Sequence, residues 1–420
     1  MNILHSKMRV TTVIAGIGIV ALLATGCSRG GDSSGGSTGG SAASPGITDT
    51  TVTLGITTPL SGATAGPGTC TVAGITAYFG DVNAAGGVKF GDGKTRKVNI
   101  TALDDAYDPQ KAAANYEQLK DSVFAMTAGL GTPTNRAWRE AAIADQVPQV
   151  LVETGDPIFS DTKQSPWQLG FVPSYQNEGA AFGKLLAAGG KPHKIAILSQ
   201  NDDYGQGYVA GLKSAISGSS NIQVVKELTY EATDTSVDAQ LTELAGSGAD
   251  VFFNAMSITP LVISSLQKVQ QLGWSPSWFL PSNTSSPSAI LQPGGATAFP
   301  GVYSVSFAKA AASPAVAGDA DVQKFLSDLK TYANYPDTPA FPHCSWSYMI
   351  GATLDQAFQK MTEPTRDNFM SALRSISDYS APLMLDGTSV TTNQDGQPAV
   401  STVVVQKYNG KGYDTVTSFG

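Results

Sequence analysis

From residue 51 onward the chain repeats one pattern: a short β-branched apolar run, a turn, then a stretch with apolar residues at helical spacing. TVTLGIT (51–57) predicts a strand, and 71–83, with Val72, Ile75, Tyr78, Phe79 and Val82 on one face, predicts a helix. Strand 97–103, helix 109–120, strand 123–127, helix 135–144 and strand 149–152 continue the series. Strand–helix alternation of this kind specifies a parallel sheet with helices on both faces. The series then starts again, with helices predicted at 177–188, 207–216, 237–245 and 260–272 between strands at 194–199, 223–228, 250–253 and 278–280. Two α/β lobes of doubly wound type follow, joined by several crossings of the chain.

The expected organisation is lobe 1 from 47–171 plus 302–381 and lobe 2 from 172–301 plus 382–420. The returning part carries a strand at 302–306, helices at 322–332, 347–360 and 366–376, and β-rich sequence at 400–408. A ligand would sit between the lobes, outside the carboxyl ends of the parallel strands.

The first 46 residues follow a different logic. Lys7 and Arg9 precede an apolar run at 10–23, and Ala24, Thr25 and Gly26 lead into Cys27, the layout of a secretory signal. The run is shorter than the roughly 18–20 residues a membrane span needs. Residues 1–26 therefore read as a lipoprotein signal, with Cys27 as the lipid-bearing residue, although Ala24 stands where the commonest lipobox has Leu or Val. The Ser/Gly-rich stretch that completes 27–46 cannot build a core. As a flexible tether it would hold a folded domain about 25 Å from the membrane.

A net charge of −8 over 420 residues argues against nucleic acid as a partner. Three cysteines exclude a disulfide framework, and once Cys27 is assigned to lipid, Cys70 and Cys344 remain as either one disulfide or two buried thiols. Only His193 and His343 lie outside the signal, so no zinc-binding motif can be written and no cofactor is expected; a structural or solvent-facing role is expected of both. The stretch 87–95 misses the P-loop pattern, because Val88 stands where glycine is required and a strand follows. GDSSG at 31–35 matches a nucleophile pattern only within the tether. Asp104, Asp105 and Asp108 read as a solvated loop with Asp108 capping the helix at Pro109. Two loops suit binding better: 129–135, which places Thr132 and Thr134 at a helix start, and 152–157, which carries Thr154, Gly155 and Asp156. Simple capping would account for both equally well.

Seven segments in order, LGITTPLSG (54–62), DVNAAGG (81–87), DDAYDP (104–109), GTPTN (131–135), QNDDYG (200–205), YEATD (230–234) and GADVFFN (248–254), resemble the extracytoplasmic solute-binding proteins of ABC importers, in the branched-chain amino acid (Leu/Ile/Val-binding) group. The resemblance spans nearly all of the chain beyond the tether. It implies a type I periplasmic-binding-protein clamp that presents a small solute to an ABC permease. It also implies ligand contacts near Thr132, Thr134, Thr154, Gly155 and Asp156, with Tyr204 completing the cage from the second lobe. Amino-acid binders of the group hold the ligand ammonium with an acid after a late strand, where this chain has Asn283. Either Glu153, Asp156 or Asp202 takes over, or the ligand has no amino group; the GTPTN and NDDYG wording is similar to the branch that binds aromatic and other small organic acids. Trp346 and Tyr348 either line the cleft near the hinge or pack in the core. A ligand-sensing receptor on the same fold is the alternative function. An anchored hydrolase would need a nucleophile with a positioned base, and the sequence offers none.

Overall fold

The computed structural model describes residues 42–419, apart from 297–298, 300 and 336–337; the signal segment and Cys27 lie outside the described residues. The first series forms β1 Thr51–Thr58, α1 Ala65–Ala84, β2 Val88–Lys89, β3 Thr95–Asp104, α2 Pro109–Leu119, β4 Ala125–Thr127, α3 Thr132–Arg136, α4 Arg139–Ala144, β5 Gln149–Val152 and β6 Gln168–Gly170. The second forms α5 Tyr175–Ala188, β7 His193–Gln200, α6 Asp203–Ile216, β8 Ile222–Tyr230, α7 Asp238–Ala245, β9 Val251–Ala255, α8 Thr259–Gln271 and β10 Ser277–Phe279. β11 Val302–Ser306, α9 Ala320–Tyr332, α10 His343–Lys360, α11 Arg366–Leu373, β12 Val403–Tyr408 and β13 Tyr413–Phe419 complete the chain.

The strands assemble into two sheets, ordered β2-β3-β1-β4-β5-β6 and β13-β12-β11-β10-β9-β7-β8. In the first, only the β2–β3 hairpin is antiparallel. In the second, β12 and β13 add antiparallel strands to a parallel set. Alternation along β1 divides its side chains between two layers. Val52, Leu54 and Ile56 face a core shared with α1, α9, α10 and α11, while Gly55 faces Val123 and Met126 in the layer packed by α2 and α4. Helices α1 and α10 approach closely: a Cβ on Gly74 would lie 2.1 Å from the Cys344 carbonyl oxygen. Cys70 and Cys344 are joined across this same helix pair, with Cα atoms 4.4 Å apart.

The predicted alternation is present, with two changes at the lobe boundary. Residues 302–306, expected in lobe 1, form β11 of the second sheet, parallel to β10 and antiparallel to β12. Conversely, Leu383, Met384, Val390, Ala399 and Val400, expected in lobe 2, are buried in the first lobe's core. An apolar strand satisfies the edge of either sheet, so its sequence does not say which one it joins. The chain thus crosses between lobes at 171–174, directly after Ser306, and between Val400 and Val403. These crossings are bonded to one another: Ala399 and Val400 donate N–H to the carbonyls of Gly170 and Phe171 at 2.9 and 3.0 Å, and Leu385 N–H reaches Phe307 O at 3.0 Å. A hinge of paired segments guides closure along fewer paths than one loose linker would.

Candidate functional site

The carboxyl ends of both sheets meet at one cavity. Its walls come from the segments after β1 (Thr64), β3 (Tyr107), β4 (Leu130, Gly131), β5 (Glu153) and β6 (Val172), and from those after β7 (Tyr204), β9 (Ser257) and β10 (Ser282, Asn283). Helix α5 adds Tyr175 and Glu178, α6 adds Tyr208, α1 adds Pro67, and α10 adds His343 and Trp346. The cavity holds about 550 Å³ of space outside the atoms, part of it open to solvent.

Local rules place several of the wall residues. Gly131 adopts φ +102°, a conformation strained for other residues, and turns the chain from β4 into α3. Asp202 caps α6 by accepting N–H bonds from Tyr204 and Gly205 at 3.0 and 3.2 Å, which sets Tyr204 at the cavity edge. Ser174 caps α5 through Asn177 N–H at 3.1 Å, so Tyr175 and Glu178 lie one turn apart. The ring centroids of Tyr175, Tyr204 and Tyr208 lie 4.8–5.0 Å apart, Tyr175 stacked on Tyr208 and Tyr204 edge-on to both. The disulfide ties Cys70, one turn beyond Pro67, to Cys344, beside His343, so it braces the first-lobe wall.

Of the seven ligand positions expected from sequence, Tyr204 and Asn283 line the cavity. They are bonded to each other, the Tyr204 hydroxyl lying 3.1 Å from Asn283 Oδ1 and 3.2 Å from Met256 O. The other five form the layer behind. Thr132 and Thr154 place their hydroxyls 2.8 Å apart, and both meet the Tyr175 hydroxyl at 2.9 and 3.0 Å. Thr134 donates back to the carbonyls of Leu130 and Gly131. Gly155 O accepts Tyr175 N–H at 3.0 Å. Asp156 caps Ile158 and pairs with Arg136, which also reaches Asp203 of α6 at 3.2 Å, an ion pair across the lobes. Asp202, the third acid considered, is committed to its cap and to Gln200. Trp346 lines the cavity, whereas Tyr348 packs in the core and donates to Asp328 at 2.6 Å.

Two buried carboxyls, Glu153 and Glu178, line the cavity, and among the described residues no lysine or arginine does. Burial pushes the Glu153 carboxyl up to about 8, against the downward pull of hydroxyls from Ser347 and Thr71. Burial likewise pushes Glu178 up to about 7; Ser282 N–H, Ser282 Oγ and the Tyr208 hydroxyl, at 3.1, 2.8 and 2.8 Å, favour its ionised form. His343 is driven down to about 3 by burial, so its imidazole is neutral. His343, expected to be structural or solvent-facing, is buried and also lines the cavity. Helix α10 starts at His343, four residues before the expected start at 347, and this puts the ring inside. Sequence reasoning also missed Glu178, whose position in the first turn of α5 reads as a charge favouring the helix dipole. Among the described residues, no group of three or more His, Cys, Asp or Glu side chains could hold a metal ion, and no helix is long and apolar enough to cross a membrane.

Two α/β lobes joined by three crossings, with a cavity at the facing carboxyl ends of their strands, make the two-lobe fold of type I periplasmic binding proteins. The chain belongs to the periplasmic binding protein family, whose model matches residues 51–412. It is 25% identical over 206 residues to an amino acid binding protein of Pseudomonas aeruginosa, covering 48% of this chain and 53% of that one. A Leu/Ile/Val-binding protein homolog of Brucella melitensis matches at 25% over 213 residues, with the same coverage. The chain thus spans about half the length of the curated relatives it matches. Among solved structures, a fatty acid ABC transporter substrate-binding protein from Thermomonospora curvata superposes with a TM-score of 0.77 at 23% identity, covering 90% of this chain and 94% of that one. An R. palustris ABC transporter solute-binding protein in complex with benzoate gives 0.71 at 18%, covering 88% and 96%. These structures share the fold.

Proposed function

We propose that the chain is a membrane-anchored, extracytoplasmic solute-binding protein that captures a small amino acid or organic carboxylate between its lobes and delivers it to an ABC permease. The observation that carries this reading is the cavity itself, walled by strand ends from both sheets. A solute touching both walls favours the closed clamp over the open one, which is all that capture by closure needs. The names of the relatives, among them amino acid, Leu/Ile/Val, fatty acid and benzoate binders, agree with a small solute and leave its class to be measured. The lipobox-like run before Cys27 and the Ser/Gly tether support the anchor.

Calorimetric titration of the purified chain with branched-chain amino acids, aromatic acids and short-chain acids tests capture. Saturable binding of one solute per chain is expected, and silence across the panel refutes the reading. Cys27→Ala tests the anchor: the variant is expected to leave the membrane fraction or to remain unprocessed, whereas normal lipid labelling would rule the anchor out.

A further inference from the structure

We infer that Tyr107 is a latch: a first-lobe side chain that binds the second lobe directly, so that the protein itself supplies part of the stability of the closed clamp. This goes beyond the solute-binding reading and rests on its clamp. Tyr107 follows β3 of the first sheet, yet its half-buried ring packs against the second lobe's apolar cluster. Its hydroxyl is hydrogen-bonded to the side chains of Ser257 and Gln200, which lie at the carboxyl ends of β9 and β7. That end of the second lobe is ready to receive it. Gln200 Oε1 accepts the hydroxyls of Tyr230 and Ser257 at 2.8 and 2.6 Å, and Tyr230 accepts Ser257 N–H at 3.0 Å. Ser257 therefore spends its proton on Gln200 and keeps its lone pairs for the Tyr107 hydroxyl.

The first lobe holds Tyr107 out toward these partners at a conformational cost. Ala106 and Tyr107 adopt φ +51° and +63°, a region that residues other than glycine rarely enter, and two such residues in succession persist only where the surroundings over-determine them. Asp104 accepts N–H bonds from Ala106 and Leu60 at 2.8 and 2.7 Å; buried Asp105 accepts Tyr107 N–H and the Thr57 hydroxyl, both at 2.9 Å. On the other side the ring rests on Gly131, where a Cβ would lie 2.6 Å from Tyr107 Cε2. Neither Ser257 nor Gln200 belongs to a crossing, so opening the lobes parts Tyr107 from both. The Arg136–Asp203 pair also spans the lobes, but its side chains are 35% and 47% exposed, and water and salt weaken it. A contact present only in the closed state raises the closed population before any solute arrives, and the apparent affinity for every solute scales with that population.

Small-angle scattering of the purified chain without solute tests this, because it reads the lobes alone. Tyr107→Phe, which keeps the ring and removes the hydroxyl, should give a larger radius of gyration than the wild type, and Tyr107→Ala a larger one still. Ser257→Ala removes the partner from the opposite lobe and should act in the same direction; joined to Tyr107→Phe it should add less than the sum of the two. Asp203→Asn should change the curve less than Tyr107→Phe. Calorimetry with leucine, phenylalanine, benzoate and hexanoate gives a second reading: Tyr107→Phe should weaken every one that binds by a common factor of about two- to tenfold, the worth of one hydrogen bond. Scattering unchanged by Tyr107→Ala, a larger effect from Asp203→Asn, or a factor that differs widely between solutes overturns the inference while the solute-binding reading stands. Binding of none of the four by the wild type counts against the solute reading, and the scattering still decides the latch.

Discussion

Glu153→Gln is expected to make the protein more stable above neutrality and to leave it unchanged in acid. Glu153 is buried where β5 ends, with Thr71 and Ser347 hydroxyls on its two oxygens. Burial holds its carboxyl at about 8 against an ordinary value of 4.5. The folded protein therefore binds one more proton than the unfolded chain between these values, and stability falls as pH rises. Below pH about 4.5 both states are protonated and nothing is lost. Above about 8 the loss is complete, and at about 1.36 kcal/mol per pH unit it reaches about 5 kcal/mol at most. Glutamine cannot ionise, and its amide can donate to one hydroxyl and accept from the other. Urea unfolding followed by circular dichroism and by tryptophan fluorescence should therefore give equal stabilities at pH 4, and a variant more stable by about 2–5 kcal/mol at pH 8.5. An equal effect at both pH values, or destabilisation at pH 8.5, would refute the assignment of a neutral buried acid.

Replacing Cys70 and Cys344 together with serine should lower stability by about 3–5 kcal/mol in urea, because the bridge closes a separation of 274 residues in the unfolded chain. Solute affinity should fall with it, since the bridge braces the wall that carries Pro67 and Trp346; a variant with wild-type affinity would separate the bridge from the site. Thr134→Ala should cost about 1 kcal/mol of stability and change affinity less than twofold, as its hydroxyl bonds only Leu130 O and Gly131 O. A tenfold loss of affinity by calorimetry would instead return Thr134 to the cavity wall.

The element series was legible because periodicity reports which residues are buried, and burial decides element type. Helix α2 and strands β5 and β11 lie within a residue of their expected limits. The helix expected at 135–144 is two, and starts at Thr132, because Gly131 turns the chain and Pro133 suits a first turn. Strands β6 and β13 were missed: the first has three residues and is flanked by prolines, and the second is a largely solvated edge. Site residues were harder, because a strand-end loop fixes an address and leaves the side-chain direction open. Thr132, Thr134 and Thr154 sit on the expected loops, yet their hydroxyls turn to Tyr175 and to their own backbone. Glu178 and His343 were illegible for a different reason: each enters the cavity on a helix whose depth is set by packing between distant segments, α5 on α6 and α10 on α1.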